Sequence, residues 1–537
     1  RQARAGSLTQ PPRRVCNGGM PCRLACIAVL LLLGGAYAAA RDDPPPKTFR
    51  VGGTQRDMAT HAAVGPGGGL YVVGACTGRT DFDPSTAAAT AQRARLDKPS
   101  SRRRMNAFLA CYGADGRFAW ARALGASGMN VARCVAVSDD GTVCVTGHFS
   151  GRMDFDPQDP PDEEDTFTSQ EGRDAFIACY TPDGAFLWAR CFGDADVAPK
   201  GSKELAVEWS EGIRGAVFDA DQNVYAVGMF RGTIDLDPGP ETVERKSRED
   251  SRDIFVVSLD KQGAFRWGRT YGGAGTDQGH SIALGPKDGL LVGGCFSAVV
   301  KFDPRPSASS VVSAGGMDAF VLWLDRSGGF RRAATWGGPR DDQVLGGGLA
   351  ADRRGAVYAS GDFSGEADLD PGDEEALHES EGARDAFLLK LDADGVLDWA
   401  VTLGGDRVDS AYDLCLTSSQ HVVVVGRFHG TADADPSRRK KILRSGGSGG
   451  ATDAFVACYS AKGALRWAHA LGAKVSGPTK MTSAKGVGAL PGGDVIVVGN
   501  FHRTLDADPS RKKVLLQSLG DTDVFVVRYD AKGKLVR

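Results

Sequence analysis

The chain shows no excess of either charge. Over 537 residues, 64 Lys and Arg stand against 67 Asp and Glu, a net charge of −3. A dedicated nucleic-acid binder carries a basic domain, so that class is excluded. Histidine is scarce, with 8 residues, and none stands in His-Glu-x-x-His or another compact metal spacing. Neither a Gly-x-Ser-x-Gly elbow nor a P-loop occurs. The glycine-rich "GGAGTDQG" (272–279) leads into a strand and lacks the helix N-terminus that binds phosphate. Helical periodicity of apolar residues is missing. So is an apolar run long enough to span a bilayer: the stretch at 24–33 has about half the residues a transmembrane helix needs.

That short run suits a secretory signal instead. The first residue is Arg, and Met20 makes a better beginning, with 1–19 an upstream or non-native leader. From Met20 the order is a cationic Arg23, the apolar run, then Ala36-Tyr37-Ala38, which suits a signal peptidase. Residues 20–40 are therefore expected to be a signal peptide, with a buried edge helix as the alternative. The mature chain is expected to be secreted, periplasmic or at the cell surface. Export permits disulfides, yet the nine cysteines after residue 40 do not form a framework. Cys111, Cys179 and Cys458 fall at one register of three repeats ("FLACY", "FIACY", "FVACY"), and an odd count leaves at least one thiol. Small apolar packing residues are the expectation.

What the chain has in quantity is glycine, 72 residues, and a repeat. Asp-x-Asp-Pro occurs at 81–84, 154–157, 235–238, 368–371, 433–436 and 506–509, with a degenerate "KFDP" at 301–304. The seven copies are 73, 81, 66, 67, 65 and 73 residues apart, a period that marks a repeat architecture. In the same phase come an Asp-(Ala/Ile/Val)-Phe strand start (Asp174, Asp253, Asp318, Asp385, Asp453, Asp523, with Asn106 in the first copy) and a later Trp (Trp120, Trp188, Trp267, Trp399, Trp467). Each period holds four short strands, in the sixth copy "AYDLCL" (411–416), "HVVVVGRF" (421–428), "DAFVACY" (453–459) and "ALRWAHALG" (464–472). Tight turns such as "PDG" (182–184) separate them. Several strands are apolar on both faces, as stacking of four-stranded sheets requires. The expected fold is all-β, a seven-bladed β-propeller with four antiparallel strands per blade over 47–537. Its ring is expected to close by pairing "KTFRVGG" (47–53) with the last repeat.

The units "NVYAVGMFRG" (223–232), "DAFLLKLDADG" (385–395) and "LDWAVTLGG" (397–405) resemble the bacterial β-propeller repeats known as SBBP repeats. The likeness covers about residues 47–537 through its sevenfold recurrence. It implies a propeller and an exported or surface location, and no activity or catalytic residues.

Two readings compete for the Asp-x-Asp-Pro carboxylates: Asp81, Asp83, Asp154, Asp156, Asp235, Asp237, Asp368, Asp370, Asp433, Asp435, Asp506 and Asp508. Carboxylates at i and i+2 can share a Ca²⁺, which takes six to eight oxygens. Alternatively the Asp side chains bond the backbone of a tight turn while Pro stops the strand. The turn reading is preferred, because each motif supplies two carboxylates around an apolar residue. No cofactor is expected otherwise. The Asp of the strand start is likewise read as a packing residue. His429 and His502 share a repeat position with Thr77, Ser150, Arg231, Ser297 and Ser364, and are read as surface.

Sites are sought where the repeat breaks. Lys301 replaces an Asp, Arg332 replaces a Trp, and an insertion at 193–212 carries Trp209. Loops after the motif also differ in sign. Those with Arg102, Arg103 and Arg104, with Arg438, Arg439, Lys440 and Lys441, and with Arg511, Lys512 and Lys513 belong to repeats one, six and seven, which a closed ring makes consecutive. Such an arc would attract a polyanion. The function expected is a non-enzymatic binding or scaffold module, a monomer, for an acidic glycan or a protein partner. The alternative is a polysaccharide-active enzyme with its site at the axial mouth.

Overall fold

The computed structural model describes residues 47–83, 105–125, 128–158, 165–169, 172–193, 212–435, 437, 439–446, 451–472, 481–510 and 512–537. The leader and signal segment expected at 1–40 lie outside them. Apart from a three-residue 3-10 turn at Arg248–Asp250, the regular elements described are strands.

The repeating unit is an antiparallel meander of four strands. In the sixth repeat these are Ser410–Leu416, Val422–His429, Thr452–Tyr459 and Leu465–Leu471, within a residue or two of the sequence expectation. The two central strands are buried almost throughout because sheets stack on both of their faces. A buried apolar cluster fills the space between each sheet and the next. Tyr71, Val73 and Leu109 meet Val145, Phe149 and Phe176 in this way. The fifth and sixth meanders also share one parallel contact, Gly347 opposite Asp413. The innermost strands contact one another in chain order and the last contacts the first, giving the arrangement of a β-propeller.

Thr48–Gly53 closes the ring. It pairs antiparallel with Asp523–Tyr529, Thr48 opposite Val527 and Val51 opposite Val524, and so supplies the outer strand of the last sheet. Phe49 and Val51 then share a cluster with Val72 and Phe108 of the first sheet. Arg50 and Asp523 add an ion pair at 2.8 Å.

The outer strands are tied sideways. Each of the five phased Trp indoles donates to a carbonyl in the turn of the following sheet, Trp120 to Pro182 (3.1 Å) and Trp267 to Arg326 (2.8 Å) among them. Below Trp399 sits Gly463, at φ +76°, where a Cβ would fall 2.9 Å from the ring; only glycine combines that backbone with that approach.

Candidate functional site

The Asp-x-Asp-Pro segment builds the fold. Its first carboxylate accepts the N–H two residues on, as Asp235 does from Asp237 (3.0 Å), and in four copies also the N–H eight residues on, as Asp368 does from Ala376 (2.8 Å). The second accepts from the turn that follows, Asp370 from Gly372 and Asp508 from Ser510. Between them the apolar residue is buried: Phe82, Phe155, Leu236, Phe302, Leu369, Ala434 and Ala507. In four repeats a buried Tyr hydroxyl locks its carbonyl, as Tyr180 does on Phe155 (2.9 Å) and Tyr459 on Ala434 (2.8 Å). Where a loop was expected, five motifs begin a two-stranded ribbon, such as Asp433 opposite Ile442.

The residues that replace the pattern do similar work. Arg332 donates to Ala393 at 2.7 Å, taking the indole's role in its sheet, and Lys301 donates to the Pro306 carbonyl. Neither break builds a site. The position of His429 and His502 is structural too, since Thr77, Ser150 and Ser297 accept backbone N–H groups there.

Four of the sheet junctions end on a buried acid that accepts the N–H four residues earlier: Asp57 from Gly53, Asp277 from Gly273, Asp342 from Gly338, Asp409 from Gly405. Burial, opposed by those N–H bonds and reinforced by the strand-start Asp beside each, pushes these carboxyls up to about 7, and Asp277 to about 8.

Three residues beyond the junction position, every innermost strand breaks register by at least one residue. The extra residues are Thr60, Arg133, Arg214, His280, Tyr412 and Lys485, with a longer interruption at 345–348. A bulge re-aims a side chain away from the pleat. Here all of them, Leu345 included, line one axial cavity of about 840 Å³. The sequence reading missed this ring. Its signal was a polar residue at one phase of otherwise apolar strands, as in "VARCVAV", "QGHSIAL" and "SAKGVGA".

The cavity is cationic. Among its described lining residues are Arg133, Arg214, Arg252 and Lys485, against one carboxyl, Asp413. Burial, then the charges of Arg133, Arg252 and Arg173, draws Arg214 down to about 9. Burial, then Arg427 and Arg133, bring Lys485 to about 7. The Lys485 ammonium lies 3.3 Å from the centre of the Tyr412 ring, with Arg427 5.8 Å from the same ring. The Nε atoms of Arg133 and Arg427 are buried without a hydrogen-bond partner. His280 donates Nδ1–H to the Val344 carbonyl at 2.8 Å, and burial holds its pKa near 4. His61 of the first sheet and Asp413 of the sixth approach to 3.9 Å, outside hydrogen-bond reach. His61 Nδ1 accepts from Val135 N–H, and Asp413 accepts from Val487 and Leu414.

Of the basic arc expected from sequence, Arg102, Arg103, Arg104, Arg438 and Arg511 lie outside the described residues, as does Trp209. Arg439, Lys440, Lys441, Lys512 and Lys513 are exposed on the turns that follow their motifs. The nine cysteines after residue 40 are unbridged, seven of them buried. Among the described residues no helix is long and apolar enough to cross a membrane.

No family model matches the chain. It is similar to an uncharacterized WD repeat-containing protein of Acanthamoeba polyphaga mimivirus, 20% identical over 397 residues, and spans 28% of that protein while the match takes in 66% of this one. Among solved structures it is similar to Sqt1 from Chaetomium thermophilum, at 10% identity over 88% of this chain and 99% of that one, with a TM-score of 0.36. It is also similar to XC5397, a gluconolactonase from Xanthomonas campestris, at 11% identity, 72% and 96% coverage, and a TM-score of 0.26. Likenesses this distant transfer neither ligand nor activity.

Proposed function

We propose that the chain is an exported seven-bladed propeller of the SBBP-repeat kind, a binding module that takes an acidic saccharide at its axial mouth. The repeats and their seven sheet-forming units support the blade count, and the segment 20–40 supports export. One observation carries the ligand class: Arg133, Arg214, Arg252 and Lys485 converge on a cavity that holds one carboxyl among its described lining residues. Cations that burial has stripped of water gain most from a carboxylate brought among them. The exposed Arg439, Lys440, Lys441, Lys512 and Lys513 would add a salt-sensitive attraction for a longer polyanion. The test is titration calorimetry at low salt with galacturonate oligomers and with neutral galactose oligomers. The acidic series should bind and the neutral series should not, and Arg133→Ser with Lys485→Met should weaken binding by about tenfold or more. Equal affinity for both series, or for the double variant, would remove the reading.

The approach of His61 to Asp413 favours a second reading, a polysaccharide-active enzyme at the same mouth. Cleavage of the oligomers that persists after purification and disappears in His61→Asn would establish it.

A further inference from the structure

Lys485 differs from the other cations of the cavity. A guanidinium stays charged at any physiological pH, whereas an amine surrendered by water and placed among positive charges becomes a nucleophile. The bulge at Lys485 turns this amine into the cavity instead of into the sheet. Its ammonium lies over the face of Tyr412, and the charges acting on it are those of Arg427 and Arg133. The ring favours the ammonium form; burial and the two guanidiniums act against it. Arg133 lines the same cavity and acts on the amine as a second positive charge, so its guanidinium can receive a carboxylate next to the amine.

We infer that Lys485 condenses reversibly with the carbonyl group of a small oxo acid whose carboxylate is held by Arg133. The inference rests on the axial acid-binding reading above and gives that site a chemistry. In the step, the amine lone pair attacks the carbonyl carbon, the C–N bond forms, and the carbonyl π pair passes to oxygen. A proton moves from nitrogen to that oxygen. The resulting carbinolamine loses its hydroxyl and the second nitrogen proton as one water, leaving a C=N bond. No electron is gained or lost, so no oxidant or reductant takes part. An aldehyde or ketone without a negative charge lacks the contact with the Arg133 guanidinium and reacts more slowly.

The probe is pyruvate with the full-length protein at pH 7, trapped with cyanoborohydride and mapped by peptide mass spectrometry. The carboxyethyl adduct should appear on the peptide containing Lys485 at least about tenfold faster than on Lys440 or Lys441, because most of an ordinary lysine is protonated at that pH. Lactate, which has the carboxylate and no carbonyl, should slow the labelling of Lys485 in the wild-type protein, a measurement that needs no variant. Lys485→Arg should keep the charge and lose the adduct. Equal labelling of Lys485, Lys440 and Lys441 overturns the inference. If lactate and pyruvate both raise the melting temperature while Lys485 stays unlabelled, the condensation falls and the acid site stands. If neither binds and Lys485 stays unlabelled, both fall.

Discussion

At the junctions between sheets, four of the repeats carry the same acid pair: Asp523 with Asp57, Asp253 with Asp277, Asp318 with Asp342, and Asp385 with Asp409. Three residues further along the inner strand stand Thr60, Arg133, Arg214, His280, Leu345, Tyr412 and Lys485. The same chain, copied in register, has kept an Asp at one position in four repeats and let the other take six different residue types. The junction acid satisfies buried backbone N–H groups, and its loss would leave those donors orphaned at a cost of about 1–3 kcal/mol each. The bulge residues face a cavity; Thr60 and His280 donate from there to backbone carbonyls, and the position tolerates residues as unlike as Leu345 and Lys485. Divergence there costs the fold little and changes what the cavity attracts.

The largest expected effect comes from breaking the architecture itself. Deleting residues 47–53 removes Phe49 and Val51 from the last cluster and bares the edge of Asp523–Tyr529. The cooperative thermal transition should be lost or fall sharply, and an unchanged melt would show that the ring does not depend on this strand. The junction acids come next. Asp277 is pushed up to about 8, chiefly by burial, so the folded protein holds a proton that the unfolded chain releases near pH 4. Its contribution is therefore complete below about pH 4 and is lost as pH rises through about 8. Asp277→Asn, which mimics the neutral acid and copies Asn130 of the second repeat, should flatten that decline and gain about 1–3 kcal/mol at pH 8. His61 and His280, held near 4, tilt the profile the other way between about 4 and 6.5; Lys485 does so above about 7. Both cancel in the difference between variant and wild type. Parallel pH profiles for the two proteins would sink the assignment.

Smaller changes sharpen the contrast. Tyr459→Phe removes the hydroxyl that holds the Ala434 carbonyl and should cost about 1–2 kcal/mol in a denaturant titration. Leu345→Thr, at the diverged position, should shift the midpoint by less than about 0.5 kcal/mol; a loss as large as that of Tyr459→Phe would mean the bulge residues also support the fold. Chelation with EDTA is expected to have the smallest effect, no change in melting temperature, since the Asp-x-Asp-Pro carboxylates are engaged by backbone N–H groups. A loss restored by Ca²⁺ would place an ion among them.

Much of the architecture could be read from residues alone because its causes are local. Val422–His429 is apolar on both faces, Gly463 marks a turn, and Asp433 precedes a strand stop; each signal sits within a few residues of what it produces. The ribbons after Asp433 and Asp506 escaped notice because three-residue strands carry no periodic signature. The cavity escaped for a different reason. A bulge changes register by one residue without altering composition, so Arg133 and Lys485 looked like polar interruptions in apolar strands. Their convergence depends on ring closure, which brings Arg133 of the second repeat near Lys485 of the last. The breaks that did stand out, Lys301 and Arg332, proved to be substitutes within the scaffold.

The pairing of Thr48–Gly53 with Asp523–Tyr529 has a kinetic consequence. Arg50 and Asp523 are 473 residues apart, while the other strand pairs of each sheet form within a single repeat. Meanders can therefore assemble locally and early, but the ring waits for one contact that spans almost the whole chain. Closing a loop of that length costs entropy that grows only with the logarithm of length, about 0.6 kcal/mol per doubling, so the delay lies in the search and in the order of assembly. Until the search ends, Asp523–Tyr529 offers a hydrogen-bonding edge to any strand that arrives, including Thr48–Gly53 of another molecule. Refolding should thus be concentration-dependent, with yield falling as protein concentration rises and intertwined dimers among the products.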